Sequence, residues 1–398
     1  MEEVTARVAR QYGEHAYPKP LDDLAEAVAA GKMELTDPSL IAPLIWPEGR
    51  PRAEFDVLVA GCGTQQAALM AFNNPTARVL GVDLSETSLA HQRYLRDKHG
   101  LANLQLYQGD LREVGQIGRT FDLIISTGVL HHLADPSQGL RALASVLAPG
   151  GAMALMVYGA LGRVGVYPLQ DAFRRLGLNQ SKDSIALVRR TLASLPAHHP
   201  VQTYLRAAEE LQHDTAIVDT FLHPQDRAYT VPQLLAWVTE NGLAFQSWVQ
   251  NQFYYPDALV EPDTRRMIRL LPAREQWPIV ESLVATMGNH TFILRHPGEE
   301  RLIDFSGEDW PHYRPSFKRE SGIAELRPDG SCRVGLMGLR FEMTAAETAV
   351  VQRIDGRRSI ADILSDPVFA HGSPEERLAF GRLCFERLWK IGAAMFEV

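Results

Sequence analysis

The sequence predicts an α/β fold: a doubly wound, mostly parallel seven-stranded sheet with a helical insertion, followed by a smaller C-terminal α+β domain. Three observations carry this expectation. Short apolar runs alternate with helix-like stretches between residues 55 and 159, the alternation that requires a parallel sheet with helices on both faces. It stops over 160–228, where helices and loops predominate, and resumes from 229 to 296. Beyond 320 the pattern changes to short strands around an Asp-Gly turn and to capped helices.

Each element has a local reason. FDVLVA (55–60) is an apolar run ended by Gly61, and QAALMAFN (66–73) has helical composition. ARVLGVDLS ends in Asp83 and leads into a helix with Ser85 as its cap and Gly100 beyond its end. NLQLYQGD ends at Asp110. FDLIISTGVLHHL supplies a fourth strand, Asp135 and Pro136 open the next helix, and AMALMVYG is a fifth strand. YTVPQLLAWVTENGLAFQSW then gives a helix and a strand, and HTFILRHP closes the sheet. In the tail, Thr344 and Glu347 form a capping box and Ser373 caps a longer helix. The expected organisation is a helical segment over the ligand site (1–50), a sheet domain (51–298) with an insertion or lid at 160–228, a linker (299–319) rich in Pro, Gly and acids, and a C-terminal domain (320–398).

Bulk properties narrow the function classes. At 398 residues, with 45% hydrophobic and 22% charged side chains, the chain has the composition of two or three globular domains. A net charge of -8 gives no broad attraction to phosphate backbones or anionic lipid, so nucleic acid and membrane are not expected partners. The three cysteines, Cys62, Cys332 and Cys384, are widely spaced and form neither a disulfide framework nor a metal-ligand pair. No signal-like or membrane-spanning apolar run occurs, and the expected compartment is the cytoplasm.

The motif VLVAGCGTQQ (57–66) places two glycines at the strand-to-helix turn, where backbone N–H groups can approach an anionic ligand. Asp83 ends the next strand, the position from which an acid reads ribose hydroxyls. To this point a dinucleotide and S-adenosylmethionine fit equally. Gln65 and Gln66 occupy the stretch where the dinucleotide fingerprint has its third glycine, which makes a pyrophosphate harder to seat.

Asp110, GVLHHLADP and LAPGG extend a pattern that resembles the class I S-adenosylmethionine-dependent methyltransferases, strongly over about 50–160 and weakly over 229–296. RQYGEHAYP with VAGCGTQQ is similar to a bacterial subgroup with N-terminal QYEENPYP-type segments and AGCGTGQ loops; here Gln65 replaces that subgroup's second loop glycine. The resemblance implies that Gly61 and Gly63 contact the methionine moiety, that Asp83 binds the ribose, and that Asp110 approaches the adenine amino group. Cys62, Leu84, Leu111 and Thr127 stand beside them, and Tyr17 is expected to close over the cofactor.

Methyl transfer from a sulfonium needs orientation, exclusion of water and sometimes a base. His131 and His132 follow the fourth strand, and Asp219 and His223 lie in the insertion; these four are the candidate proton-handling groups. His213, Asp226 and Tyr229 from the insertion, with Tyr158, Arg163 and Tyr167 leaving the fifth strand, are candidate acceptor contacts. The rival readings are ordinary strand-end packing for the histidine pair, a solvated helix face for the insertion, and a surface position for Arg163. A His/Asp set without fixed ligand spacing gives no metal expectation.

Residues 320–398 resemble PqqD-like winged-helix domains, with strands, a capped helix ending in DG, a short helix and a longer one. That resemblance implies a peptide or protein acceptor, and the expected function is methylation of such an amine. A small-molecule acceptor, a structural or dimerising role for the tail, and a cofactor-sensing protein without turnover are the alternatives.

Overall fold

The computed structural model describes residues 18–259, 261–319, 321–336 and 339–398, so Tyr17 lies outside the described residues. The chain divides into two compact units. Among the described residues, the first comprises 18–34, 52–245 and 285–298, and the second those within 35–51, 246–284 and 299–398.

The first unit is built on β1 (Phe55–Ala60), β2 (Ala77–Asp83), β3 (Leu104–Gln108), β4 (Phe121–Thr127), β5 (Leu147–Gly159), the two-residue β6 (Ala228–Tyr229), β7 (Ala244–Trp248), in which the division between units falls, and β8 (Asn289–Arg295). The strand order is β3-β2-β1-β4-β5-β8-β7, with β6 paired to β5, which makes eight strands where seven are expected from sequence. Every residue of β1 is buried, as a strand covered on both faces requires. Val57 pairs with Val79 on one side and Leu123 on the other, both in parallel. β8 runs antiparallel to β5, with Leu155 opposite Phe292.

The chain winds outward from β1 to β3 and returns to β4 on the other side of β1. The connection order therefore reverses between β1 and β4, and a ligand crevice is expected at the carboxyl ends of these strands. Helix caps occur as the sequence predicts. Ser85 accepts from Ser88 N, Asp135 caps a helix with Pro136 at its start, and Thr344 and Ser373 make capping boxes.

The insertion has its own apolar core, in which Val166, Phe173, Val188, Val201, Ile217 and Phe221 pack together. At its base Gly165 lies so close to the helix Val201–Ala207 that a Cβ there would stand 2.1 Å from Val201 N.

The second unit departs from the expected boundaries. Residues 299–319 are not a linker: Phe305, Trp310 and Tyr313 are buried, and β9 (Arg314–Phe317) pairs antiparallel with the last strand. β10 (Ser321–Leu326), β11 (Cys332–Leu336) and β12 (Leu339–Met343) form an antiparallel meander, and β13 (Ala394–Glu397) follows the helix Pro374–Lys390. Residues 35–51 and 246–284 belong here rather than with the first unit, for a polar reason. Buried Gln246 donates to the carbonyls of Leu44 and Ile45 at 2.6 and 3.1 Å, and Asn251 donates to Trp389 O at 3.1 Å. Buried carbonyls need such donors, and local sequence does not reveal where they come from.

Gly165→Ala is expected to lower stability by about 3 kcal/mol, the upper end for overpacking, because the nearest atoms are backbone and cannot rotate away. A urea denaturation curve measures this, and an unchanged midpoint would contradict the packing described.

Candidate functional site

The carboxyl ends of β1, β2, β4 and β5, the segment 18–34 and the insertion enclose a cavity of ≈ 670 Å³ within the first unit, a size suited to a small-molecule ligand. Gly61 and Gly63 line it in left-handed conformations, φ +74° and +55°. A Cβ on Gly61 would lie 2.4 Å from Val129 Cγ2, so sterics as well as torsion require glycine there. Gln65 has a negative φ, -149°, which does not call for glycine, so the turn closes without a third one.

The turn is locked from outside. Gly61 N and Cys62 N both donate to Val82 O, at 2.8 and 3.1 Å. Gln92 donates to the carbonyls of Cys62 and Gly63, each at 3.0 Å. Asp83 accepts from Gly63 N and Ser85 N, both at 2.8 Å. Each carboxylate oxygen keeps a second lone pair for a ligand hydroxyl. Burial pushes the Asp83 carboxyl up, and these N–H groups oppose it.

Asp110 also lines the cavity and caps the turn Leu111–Ile117. Its carboxyl is raised by burial but held below its usual range by Arg112, whose Nη2 is 2.5 Å away. Leu84, Leu111 and Thr127 are wall residues, and Thr127 Oγ1 accepts from Gln66 Nε2 at 2.8 Å. Cys62 is buried, and burial pushes its thiol up, away from reactivity.

At the opposite end four residues from three separate segments meet. Tyr158 Oη donates to Asp219 at 2.7 Å, and the other Asp219 oxygen is 3.9 Å from His132 Nε2. The His132 and His223 rings lie against each other, centroids 3.9 Å apart and tilted by 33°. Gln225 sets both tautomers. Its carbonyl lies 3.1 Å from His132 Nδ1, which must therefore carry a proton, and its N–H donates to His223 Nδ1, also at 3.1 Å. Neutral His132 thus presents a lone pair at Nε2, and neutral His223 a proton.

His132, Asp219 and His223 also have the composition of a metal-ligand set, with side-chain atoms within 4.8 Å of one another. The donor set does not suit a cation. Nδ1 of His223 accepts from Gln225 N–H, so in the neutral ring Nε2 carries the proton and offers no lone pair to a cation.

His131 lies behind the wall against Tyr158, ring centroids 3.9 Å apart, and does not line the cavity. Arg163 is not a surface residue. It is 1% exposed, stacks 3.7 Å from the Tyr158 ring, donates to Tyr204 Oη at 2.9 Å and pairs with Asp226 at 3.3 Å. Asp226, Tyr167 and His223 sit behind the lining, Tyr229 stacks on Trp237, and His213 is exposed at the start of the helix Asp214–Phe221. Sequence reasoning passed over Lys32, Glu34, Tyr204 and Glu210, all at the wall. Only the close spacing of Lys32 and Glu34, directly after a short capped helix, could have drawn attention to them.

Two outcomes follow. Gly61→Ala is expected to cost about 1–3 kcal/mol through the Val129 clash and to weaken ligand binding at least tenfold, read by calorimetry; unchanged affinity would contradict the loop geometry. Burial holds the His131 and His223 rings well below their ordinary range, with the neighbouring His132 adding to the shift. The unfolded chain takes up these protons near pH ~6.5 and the folded chain does not. Their contribution to stability is therefore intact above that pH and lost below it, by up to roughly 1.4 kcal/mol per pH unit per ring. Denaturation between pH 7.5 and 5 should show a slope that His131→Phe reduces, and an equal slope in the variant would contradict the assignment.

Comparison with known proteins agrees with this geometry. Residues 58–153 match the family described as a methyltransferase domain. An uncharacterised protein of Synechococcus is 33% identical over 62% of this chain and 60% of its own length. Trans-aconitate 2-methyltransferase of Deinococcus radiodurans is 38% identical over 27% of this chain and 39% of its own. The chain thus spans less than two thirds of either relative. The solved structure of PKMT2 from Rickettsia typhi in complex with AdoHcy shares the fold, with a TM-score of 0.65 and 15% identity over 91% of this chain and 76% of that one. The glycine turn braced by Asp83, the cavity beside it and the family match together make residues 58–153 a class I methyltransferase domain, with S-adenosylmethionine as its cofactor.

Proposed function

We propose that the chain methylates an amine, carried on a peptide or protein, and that Asp219 and His132 remove the proton that makes the amine a nucleophile. The observation that carries this is the buried Tyr158–Asp219–His132 cluster in the wall of the cavity that also contains the glycine turn. When bound, S-adenosylmethionine supplies a methyl group on a sulfonium, which departs to a nucleophile and leaves a thioether.

An ammonium has no lone pair and must first lose a proton. Asp219 accepts one hydrogen bond from Tyr158 and faces His132 with its other oxygen. A proton taken from the acceptor nitrogen can pass to His132 Nε2, whose lone pair is fixed there by the Nδ1–H bond to Gln225 O. The imidazolium so formed lies beside a carboxylate. Glu210 and the ring of Tyr204 add a carboxylate and an aromatic surface to the same wall, both favourable to a cationic acceptor. Arg163, held against Tyr158 by Asp226 and Tyr204, keeps the phenol in place.

Support for a peptide or protein acceptor comes from the second unit, whose order of meander, capped helix, short helix and long helix resembles the PqqD-like peptide-binding domains. A small-molecule acceptor is the second reading, favoured by the trans-aconitate 2-methyltransferase relative.

Asp219→Asn is expected to lower kcat/KM for amine acceptors by about 100-fold or more, the usual effect of losing a general base, with cofactor affinity unchanged. His132→Ala should lower kcat/KM for amine acceptors in the same direction. Lysine-containing peptides and small acids, assayed by mass spectrometry with the wild type and both variants, test this. Undiminished methylation by Asp219→Asn would overturn the proton-transfer role, and methylation of acids alone would overturn the amine.

A further inference from the structure

The two glutamines that follow the glycine turn have a binding role that their place in the loop does not reveal. Because Gln65 has a negative φ, -149°, the turn does not require a glycine there. What that side chain does is reach the segment 18–34. With its amide oriented to satisfy both neighbours, Gln65 donates to Lys19 O at 3.3 Å and accepts from Lys32 Nζ at 3.0 Å. Gln66 donates to Thr127 Oγ1 at 2.8 Å and reaches Glu34 Oε2 at 3.5 Å.

The segment is fastened along its length. Thr64 Oγ1 donates to Pro18 O at 2.7 Å, His91 Nε2 meets Leu21 O at 2.8 Å, Lys98 Nζ donates to Asp22 O at 2.7 Å, and Leu24 N donates to His99 at 3.1 Å. It therefore presents Lys32 and Glu34 at a fixed place on the cavity wall, beside the glycine turn. One is a cation and the other an anion, two residues apart.

S-adenosylmethionine has at this end an α-amino acid group, a carboxylate and an ammonium on one carbon. We propose that Lys32 binds that carboxylate and Glu34 that ammonium, and that Gln65 and Gln66 aim the two charges. Backbone N–H groups of the turn serve a carboxylate but offer nothing to an ammonium, so the acid on the segment completes the recognition of a zwitterion. This deepens the cofactor assignment and does not depend on the acceptor. It also explains a glutamine pair where a further glycine would close the turn equally well.

The test is calorimetric, on the full chain, with two probes. S-adenosylhomocysteine carries the amino acid group, and 5′-methylthioadenosine lacks it. Lys32→Met and Glu34→Gln are each expected to weaken S-adenosylhomocysteine roughly 10- to 100-fold, as for a lost hydrogen bond to a charged group, and to change 5′-methylthioadenosine by less than about twofold. Gln65→Ala should act in the same direction with a smaller loss, and Lys32→Arg should retain most of the affinity. Equal weakening of both probes would mean that the residues only support the fold and would overturn the proposal, as would no change for either. Should the wild type bind neither probe, the cofactor assignment would fall; binding without this selectivity would sink the role of Lys32 and Glu34 alone.

Discussion

The site depends on one constraint, the double left-handed turn at Gly61 and Gly63 and the carboxylate that braces it. Val129 fills the space a Cβ would need at Gly61, and Asp83 holds the Gly63 N–H at 2.8 Å. Two consecutive strands of the sheet are thereby tied at their carboxyl ends. The cavity, the placement of Asp110 and the approach of the segment 18–34 all build on that tie. Asp83 braces the turn while each of its oxygens retains a lone pair after accepting from the backbone.

The opposite end of the cavity is organised on a different principle. Here buried polar groups converge from segments far apart in sequence and bond to one another. Tyr158 serves Asp219, Asp226 serves Arg163 and Gln170, and the backbone of Gln225 assigns complementary tautomers to His132 and His223. Such a network is costly to assemble partially. This explains why the insertion has an apolar core of its own: that core holds the helix bearing Asp219 in place.

Local signals in the sequence identified what local physics determines. The glycine turn, the strand-end acids Asp83 and Asp110, and the caps at Ser85, Asp135, Thr344 and Ser373 rest on torsion, chain direction or a bond within a few residues, and they stand where the pattern places them. Long-range chemistry was less legible. Arg163 reads as a surface arginine because the tyrosines that enclose it, Tyr158, Tyr167 and Tyr204, are distributed along the chain. The 299–319 stretch reads as a linker from its Pro, Gly and acids, although Phe305, Trp310 and Tyr313 within it are buried anchors. His213, Asp226 and Tyr229 lie near Asp219 in sequence, but His213 is exposed, Tyr229 stacks on Trp237, and Asp226 stands behind the lining, paired with Arg163.

The most direct test of the account is a crystal structure of the full chain with S-adenosylhomocysteine and an amine-bearing peptide. The account predicts the amino acid end of the cofactor product at the glycine turn and the acceptor nitrogen within hydrogen-bonding distance of Asp219. An acceptor nitrogen remote from Asp219, or a cofactor product seated outside this cavity, would contradict it.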